Sequence, residues 1–141
     1  AAKELGMTVA VTGAPKEKQI LADVLAAAKM PVIDLPKYGM DLTLLKSIIK
    51  RASAMVTNDT GPRHLAAAFG VPVVTIFGPT DPQWSEIDFP LERKVRVDVF
   101  CGPCQKKKCP LDHRCMKLVE PEMVFDRLAE LVRADRAITT P

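Results

Sequence analysis

Four short apolar segments alternate with four helical segments along this chain, and this alternation restricts the folds open to it. The apolar segments are residues 7–12, 31–35, 54–57 and 71–77. The helical segments are residues 16–29, 42–51, 62–69 and 122–133. Continuous apolar runs of strand length are typical of strands that are buried on both faces of a sheet. The chain is therefore predicted to fold as an α/β protein, with a parallel sheet covered by helices on both faces.

Helix patterning and capping residues refine this prediction. In the helix over residues 16–29, apolar side chains at helical spacing are expected to face the core: Ile20, Leu21, Val24, Leu25 and Ala28. Asp41 is predicted to cap the helix that follows it, while Pro62 and Gly70 suit the start and the stop of the next helix. Residues 1–6 resemble a last helical turn with its glycine stop and contain no Met. We therefore expect the chain to be a fragment.

Composition bounds the function. The 141 residues fit one domain, and nearly half of them are apolar, which is enough for a core. A net charge of +3, from 20 basic and 17 acidic residues, gives no sign of a nucleic-acid-binding domain. No apolar run approaches the roughly 20 residues that span a bilayer, and no signal peptide opens the sequence. We expect a cytoplasmic protein.

The most unusual residues fall in four loops that follow predicted strands. These loops are residues 13–17, 36–40, 58–64 and 78–81. In open parallel α/β sheets, ligands bind outside the carboxyl ends of the strands. The four loops are therefore predicted to lie on one rim of the sheet and to form a binding site there.

The third of these loops carries the clearest chemistry, because it reads Asn-Asp-Thr-Gly-Pro-Arg-His over residues 58–64. Thr60 and Gly61 stand at the start of a predicted helix, where backbone N–H groups lack partners and the helix dipole is positive. Such a helix start is suited to phosphate, and Gly61 permits a close approach because it has no Cβ atom. Asp59 would repel phosphate, so sugar hydroxyls suit its carboxylate better.

His64 lies one turn into the same helix and could donate a hydrogen bond to a phosphate or a leaving group. Its neighbour Arg63 could face either ligand or solvent. A simpler interpretation makes Thr60 only a helix cap and His64 an ordinary surface residue. The triplet Asp-Thr-Gly also occurs in aspartic proteases, but those enzymes need two catalytic carboxylates, and this α/β chain has one copy.

A longer pattern extends this motif. It comprises residues 55–68 (Met-Val-Thr-Asn-Asp-Thr-Gly-Pro-Arg-His-Leu-Ala-Ala-Ala), Gly70-Val71-Pro72 and residues 77–82 (Phe-Gly-Pro-Thr-Asp-Pro). The pattern closely resembles glycosyltransferase family 9, the ADP-heptose:lipopolysaccharide heptosyltransferases. Residues 13–17 and residues 40–42 also resemble parts of this family, although Asp41 stands where the family more often has Ser. The resemblance covers almost the whole chain.

The resemblance implies a domain and a reaction. The fold would be Rossmann-like, the C-terminal half of a GT-B glycosyltransferase. Residues 1–141 would form its nucleotide-sugar donor domain, with the N-terminal acceptor domain absent. The donor would be ADP-heptose, and the acceptor would be the lipopolysaccharide inner core, reached through the missing domain. The chemistry would need no cofactor, and no catalytic residue is expected in this chain because the base would belong to the missing domain.

The resemblance also assigns binding roles to particular residues. Thr60 and Gly61 would hold the pyrophosphate, and His64 would lie near the phosphates. Asp59 and Glu17 would contact sugar or ribose hydroxyls. Met40 would contact the adenine, largely through its backbone.

All four cysteines fall within fifteen residues: Cys101, Cys104, Cys109 and Cys115. In a cytosolic chain such clustering usually indicates metal binding, and four thiolates would suit a structural zinc site. The spacing is not that of a standard zinc finger, so free thiols packed in a loop and disulfides are also open. This cysteine-rich end resembles the second-heptose enzymes of the family more than the first-heptose enzymes.

Residues 106–108 are three consecutive lysines. They are predicted to be a solvated charge run, with peripheral contact to anionic lipopolysaccharide or inner-membrane lipid as the other interpretation. Two further function classes are a stand-alone nucleotide-binding module without catalysis and a small zinc-dependent nucleic-acid binder. The last is disfavoured because few aromatic side chains interleave with the lysines to stack on bases.

Overall fold

Helices alternate with short parallel strands in the computed structural model, which describes residues 2–139 and the side chains of residues 3–134. The chain divides into two compact units, Ala1–Leu45 and Lys46–Pro141. Within the described residues, no helix has the length and the apolar content to cross a membrane.

The first unit is built around one pair of strands. Its elements are α1 (Ala2–Leu5), β1 (Val9–Val11), α2 (Lys18–Ala27) and β2 (Val32–Asp34), with short 3-10 helices at Pro15–Glu17 and Leu35–Tyr38. β1 and β2 pair in parallel, with Val9 opposite Val32. The helix predicted from residue 16 begins at Lys18 because Pro15 opens a 3-10 turn ahead of it.

The predicted inward face of residues 16–29 is wrong at three positions, because Ile20, Val24 and Ala28 are exposed. Ile20 is 62% exposed and Val24 is 46% exposed, although both have the spacing of core residues. Periodicity identifies the apolar side of a helix but does not supply the surface that covers it, and nothing described in the first unit covers this side of α2.

The helix α3 (Leu42–Arg51) has the bounds that the sequence predicts. Its cap is also confirmed, because the Asp41 carboxylate accepts a hydrogen bond from the Leu44 N–H at 2.7 Å. An acidic side chain in this position satisfies a free N–H group and favours the positive end of the helix dipole.

The second unit contains a three-stranded parallel sheet and three helices. Its elements are β3 (Met55–Asn58), α4 (Gly61–Ala68), β4 (Val73–Ile76), β5 (Glu92–Val95), α5 (Arg114–Lys117) and α6 (Pro121–Thr139). The strand order is β3-β4-β5. α4 packs against β3 and β4, while α6 packs against β4 and β5. The core side chains of this unit include Val73, Val74, Phe77, Val95, Leu128, Leu131 and Val132.

The ends of α4 follow the predicted signals. Pro62 lies in its first turn, where its missing N–H has no intrahelical role. Gly70 has a φ of 71°, and its N–H donates to the Ala67 carbonyl at 3.1 Å. This left-handed conformation stops the helix and turns the chain into the strand that follows, because glycine adopts it without a steric penalty.

The strand β5 was not predicted, because its sequence Glu-Arg-Lys-Val has no apolar run. It lies at the edge of the sheet beside β4, with Glu92 opposite Val73. Despite its charge, Glu92 is buried, and the partner that permits this burial comes from α4.

That partner is Arg63, which is fully buried. Its Nε and Nη2 atoms donate to the two oxygens of Glu92, at 2.7 and 3.0 Å. The Thr75 hydroxyl donates to Glu92 Oε1 at 2.5 Å, and the Arg63 guanidinium lies 5.1 Å from the centroid of the Phe77 ring. A paired fork of this kind joins α4, β4 and β5 inside the core.

We expect Glu92→Gln to lower the free energy of unfolding at pH 7 by about 1.5–3 kcal/mol, because it weakens charged hydrogen bonds to Arg63 while Asp59 still pairs with that guanidinium. Burial alone would raise the pKa of Glu92, but hydrogen bonds from Arg63 and Thr75 and the Arg63 charge outweigh it, so the pKa lies below its usual value. The stabilisation is therefore present above the pKa of an unfolded glutamate and is lost as pH falls through the lower folded value. Urea unfolding from pH 7 to pH 3 measures this.

The matched control is Glu86→Gln, since Glu86 pairs with Lys94 at the surface rather than in the core. Exposed ion pairs contribute little to stability, so this variant should unfold nearly like the parent protein. Equal losses in the two variants, or a loss in Glu92→Gln that does not shrink at low pH, would contradict the prediction.

Candidate functional site

Two loops of the second unit follow the carboxyl ends of neighbouring strands. β3 ends at Asn58 and β4 ends at Ile76, and these two residues are paired in the parallel register. The chain therefore enters residues 59–61 and residues 77–81 from neighbouring strand ends. The predicted rim is present for these two loops.

The start of α4 leaves backbone donors open at this rim. Thr60 occupies the capping position, but its side chain makes no capping hydrogen bond; its hydroxyl donates instead to the Asn58 carbonyl at 3.3 Å. Pro62 has no N–H, and the Arg63 N–H donates to the Thr60 carbonyl at 3.0 Å. Among the described residues, the N–H groups of Thr60 and Gly61 have no acceptor, so the positive end of the helix is available to an anion.

The surface in front of these donors is open. A Cβ atom added to Gly61 would meet nothing within 4 Å. His64 is exposed, and its side chain has no hydrogen-bond partner among the residues that the structure describes. Thr60, Gly61 and His64 are thus three of the predicted site residues, and they lie together at one helix start.

Asp59 is held more firmly than the sequence indicates. Its Oδ1 accepts from Arg63 Nη1 at 2.9 Å, and its Oδ2 accepts from the Ser85 hydroxyl at 2.9 Å. The side chain is 13% exposed. Each carboxylate oxygen has more than one lone pair, so Asp59 keeps acceptor capacity toward the rim.

The expectation that Arg63 faces ligand or solvent is wrong, because its side chain is completely buried. Its Nη1 donates to the Ser85 carbonyl at 2.7 Å as well as to Asp59. The single guanidinium charge is shared between Glu92 and Asp59, so it reduces only in part the repulsion that Asp59 would exert on a nearby phosphate. Sequence reasoning missed Ser85 and Glu92 because neither lies in a motif; the only signal was an arginine in the first turn of a helix with an apolar face.

In the first unit, Glu17 closes the turn that follows β1. Its Oε2 accepts from the Ala14 N–H at 2.7 Å. A Cβ atom on Gly13 would lie 3.2 Å from the same oxygen, so a glycine is suited to this close approach. Met40 is half-buried and follows the 3-10 helix Leu35–Tyr38, where a loop was predicted.

The four cysteines line one small cavity of about 110 Å³, and all are half-buried free thiols. Cys109 Sγ accepts from the N–H groups of Leu111 and His113, each at 3.4 Å. Within residues 2–139, no group of three or more His, Cys, Asp or Glu side chains is arranged to hold a metal ion. Four thiolates would suit zinc, so a structural zinc site stays a prediction that metal analysis tests.

We expect Cys115 to be alkylated more slowly at pH 8 than a thiol of ordinary pKa. Burial raises the pKa of this thiol, and the neighbouring Cys104, Cys109 and Cys101 raise it further. A raised pKa lowers the thiolate fraction, and only the thiolate reacts. Timed iodoacetamide labelling with peptide mass mapping measures the rate.

Labelling of the urea-unfolded chain is the control, since it removes the effect of burial on Cys115. Metal analysis of the same sample separates two alternatives. One zinc per chain, with all four cysteines protected together, would contradict the free-thiol arrangement.

The sequence of this chain is similar to those of known proteins. The family profile described as Glycosyltransferase family 9 (heptosyltransferase) matches residues 1–114. Lipooligosaccharide heptosyltransferase 2 of Campylobacter jejuni is 34% identical over 131 residues, which is 89% of this chain and 41% of that protein. Lipopolysaccharide heptosyltransferase 2 of Escherichia coli K12 is 42% identical over 94 residues, or 64% of this chain and 26% of that protein.

Solved structures are similar as well. The structure titled E. coli ADP-heptose lps heptosyltransferase II aligns with a TM-score of 0.74 and 26% identity, over 96% of this chain and 40% of that one. A family 9 glycosyl transferase from Veillonella parvula aligns with a TM-score of 0.73 at 20% identity, which supports the fold alone. The chain thus spans about two fifths of the length of the Campylobacter jejuni protein and of the E. coli heptosyltransferase II structure. The predicted α/β fold and family are confirmed: the chain belongs to glycosyltransferase family 9.

Proposed function

We propose that this chain is the donor-binding domain of a glycosyltransferase that transfers heptose from ADP-heptose to the lipopolysaccharide inner core. Membership of family 9 and the similarity to heptosyltransferases support the reaction class. The observation that carries the proposal is the uncapped start of α4, which presents free N–H groups at the strand rim. A diphosphate is the part of an ADP-sugar that such a helix start recognises.

In this proposal the N–H groups of Thr60 and Gly61 donate to the pyrophosphate. His64, one turn into the same helix, donates to a phosphate oxygen or to the departing diphosphate. The open space in front of Gly61 supports this role, since a bulky anion needs a close approach to the backbone.

Asp59 is proposed to accept hydrogen bonds from sugar hydroxyls. The contacts with Arg63 and Ser85 fix its orientation, and a fixed acceptor discriminates hydroxyl positions better than a mobile one. Glu17 is proposed to contact sugar or ribose hydroxyls, and Met40 is proposed to contact the adenine largely through its backbone.

The acceptor-activating base is proposed to lie outside this chain, on the domain that binds the acceptor. Both carboxylates proposed for the donor site already accept hydrogen bonds: Asp59 from Arg63 and Ser85, and Glu17 from Ala14. These contacts engage both carboxylates within the proposed donor loops, which suits the positioning of a ligand better than the removal of a proton from an acceptor.

Titration of the chain with ADP, UDP and GDP by isothermal calorimetry tests the proposal. We expect ADP to bind most tightly, because the proposed donor is an ADP-sugar. Equal affinity for the three nucleotides would contradict an ADP-sugar site, and no binding by any of them would overturn the proposed function.

We expect Gly61→Ala to leave thermal unfolding unchanged but to weaken ADP binding by about tenfold, which corresponds to about 1.4 kcal/mol. The fold accepts the methyl group because nothing lies within 4 Å of it, whereas a bound phosphate would meet it. Calorimetry and thermal melts on the same sample check both halves of the prediction.

His64→Ala provides a second variant at an exposed position, where the fold is again insensitive. Loss of a hydrogen bond to a charged phosphate should cost roughly 1.5–3 kcal/mol of ADP binding. Unchanged ADP affinity in both variants would remove the start of α4 from the site.

We also expect the isolated chain to transfer no heptose from ADP-heptose to a lipopolysaccharide-core acceptor. A positioned base typically contributes 10²–10⁴-fold to such a transfer, and alignment of donor and acceptor contributes more. A transfer assay analysed by mass spectrometry measures this, with the full-length enzyme as the positive control. Turnover by the isolated chain would show that the acceptor-activating base lies within it.

A further inference from the structure

Trp84 is the one tryptophan of the sequence, and 78% of it is exposed. It lies in the 3-10 helix Pro82–Ser85, which follows the loop after β4. Tryptophan side chains are on average largely buried, because they present a large apolar surface. An exposed indole beside a candidate site is therefore a candidate for contact with a ligand.

The backbone around Trp84 is well fixed. The Asp81 carboxylate accepts from the Gln83 N–H at 3.0 Å, and the Trp84 N–H donates to the Asp81 carbonyl at 3.1 Å. On the other side, the Ser85 carbonyl accepts from the buried Arg63 at 2.7 Å. The tryptophan therefore projects from a turn that is anchored to the core.

The same anchor joins this turn to the rim. The Ser85 hydroxyl donates to Asp59 Oδ2 at 2.9 Å, and Arg63 binds the other oxygen of that carboxylate. The carboxylate proposed for sugar hydroxyls thus contacts Ser85, the residue that follows Trp84 in the chain. Ser85 and Asp59 cannot move far without breaking their hydrogen bonds to buried Arg63.

Trp84 differs from the other strongly exposed aromatic residue of this unit. Phe100 is 80% exposed, but the Arg114 guanidinium lies over its ring at 4.6 Å. No cation or aromatic ring is found over the indole of Trp84 within the described part of the chain. Its faces are free to contact a ligand.

We propose that Trp84 is a stacking platform for the sugar ring of the donor, a role that rests on the proposed function above. A pyranose has an edge of hydroxyl groups and a face of C–H groups. The negative π face of an indole attracts positively polarised C–H groups and shields them from water. Asp59 binds the hydroxyl edge and Trp84 the C–H face, so the two residues together recognise a sugar rather than a bare nucleotide.

Because the indole is unique, its fluorescence reports this contact directly. The chain is titrated with ADP and, separately, with ADP-heptose, while the emission is recorded with selective excitation of tryptophan. We expect ADP-heptose to change the intensity and the emission maximum, and ADP to change them far less. An equal response to both would overturn the proposal in favour of stacking on the base.

Variants separate the platform from a general effect on the fold. Trp84→Leu should weaken ADP-heptose binding by about tenfold and leave ADP binding within about twofold, whereas Trp84→Phe should retain most of the affinity because a ring remains. The matched control is Phe69→Leu, which removes a partly exposed ring at the opposite end of α4. It should change neither affinity.

Calorimetry gives these affinities, and thermal melts check that each variant is folded. Equal ADP-heptose affinity in Trp84→Leu and the parent chain, with ADP still bound, would overturn the platform and leave the proposed function standing. Absence of binding by both ligands in the parent chain would overturn both.

Discussion

The buried guanidinium of Arg63 is the constraint on which the second unit depends. A guanidinium that is buried away from water is stable only when an opposite charge lies beside it and its N–H groups donate hydrogen bonds. Here Glu92, Asp59 and the Ser85 carbonyl supply those partners, and they come from β5, the loop before α4 and the turn after β4. Satisfying one charge therefore fixes three segments, two of which lie 22 and 29 residues from Arg63 in the sequence.

Within the first turn of α4, one residue stabilises the fold while its neighbours remain accessible to a ligand. Arg63 points into the core, while Gly61 and His64 remain exposed at the rim. The ion pairs keep the loop rigid, so its free N–H groups keep their direction without a ligand. Preorganised donors of this kind bind an anion without first losing conformational entropy. The same contacts extend the rim to Ser85 and hence to the exposed indole beside it.

The cysteine loop shows how a conspicuous sequence feature can differ from its three-dimensional arrangement. Four cysteines within fifteen residues are compatible with zinc, with disulfides or with free thiols. A metal site needs its ligands at fixed distances and angles, and spacing along a flexible loop does not determine these. The structure places four free thiols around one cavity, with backbone N–H groups directed at Cys109.

Short-range patterns in the sequence specify the order of the main elements and the start of α4. Local signals account for these: β-branched runs for the strands, Asp41 for a cap, and Pro62 and Gly70 for the two ends of one helix. Each signal acts within a few residues, so its effect on local structure does not depend on contacts with distant parts of the chain. The motif of residues 58–64 likewise pointed to the rim, because a strand end and a helix start are adjacent along the chain.

Which charges are buried depends instead on contacts between segments that are distant in the sequence. β5 has a polar sequence, and Glu92 is buried because Arg63, 29 residues earlier, neutralises it. The direction of Arg63, the restraint on Asp59 and the anchoring of Trp84 all follow from that pairing. Periodicity also placed Ile20 and Val24 in a core that they do not enter. Burial of a side chain depends on partners distant in the sequence, and local patterns contain no information about them.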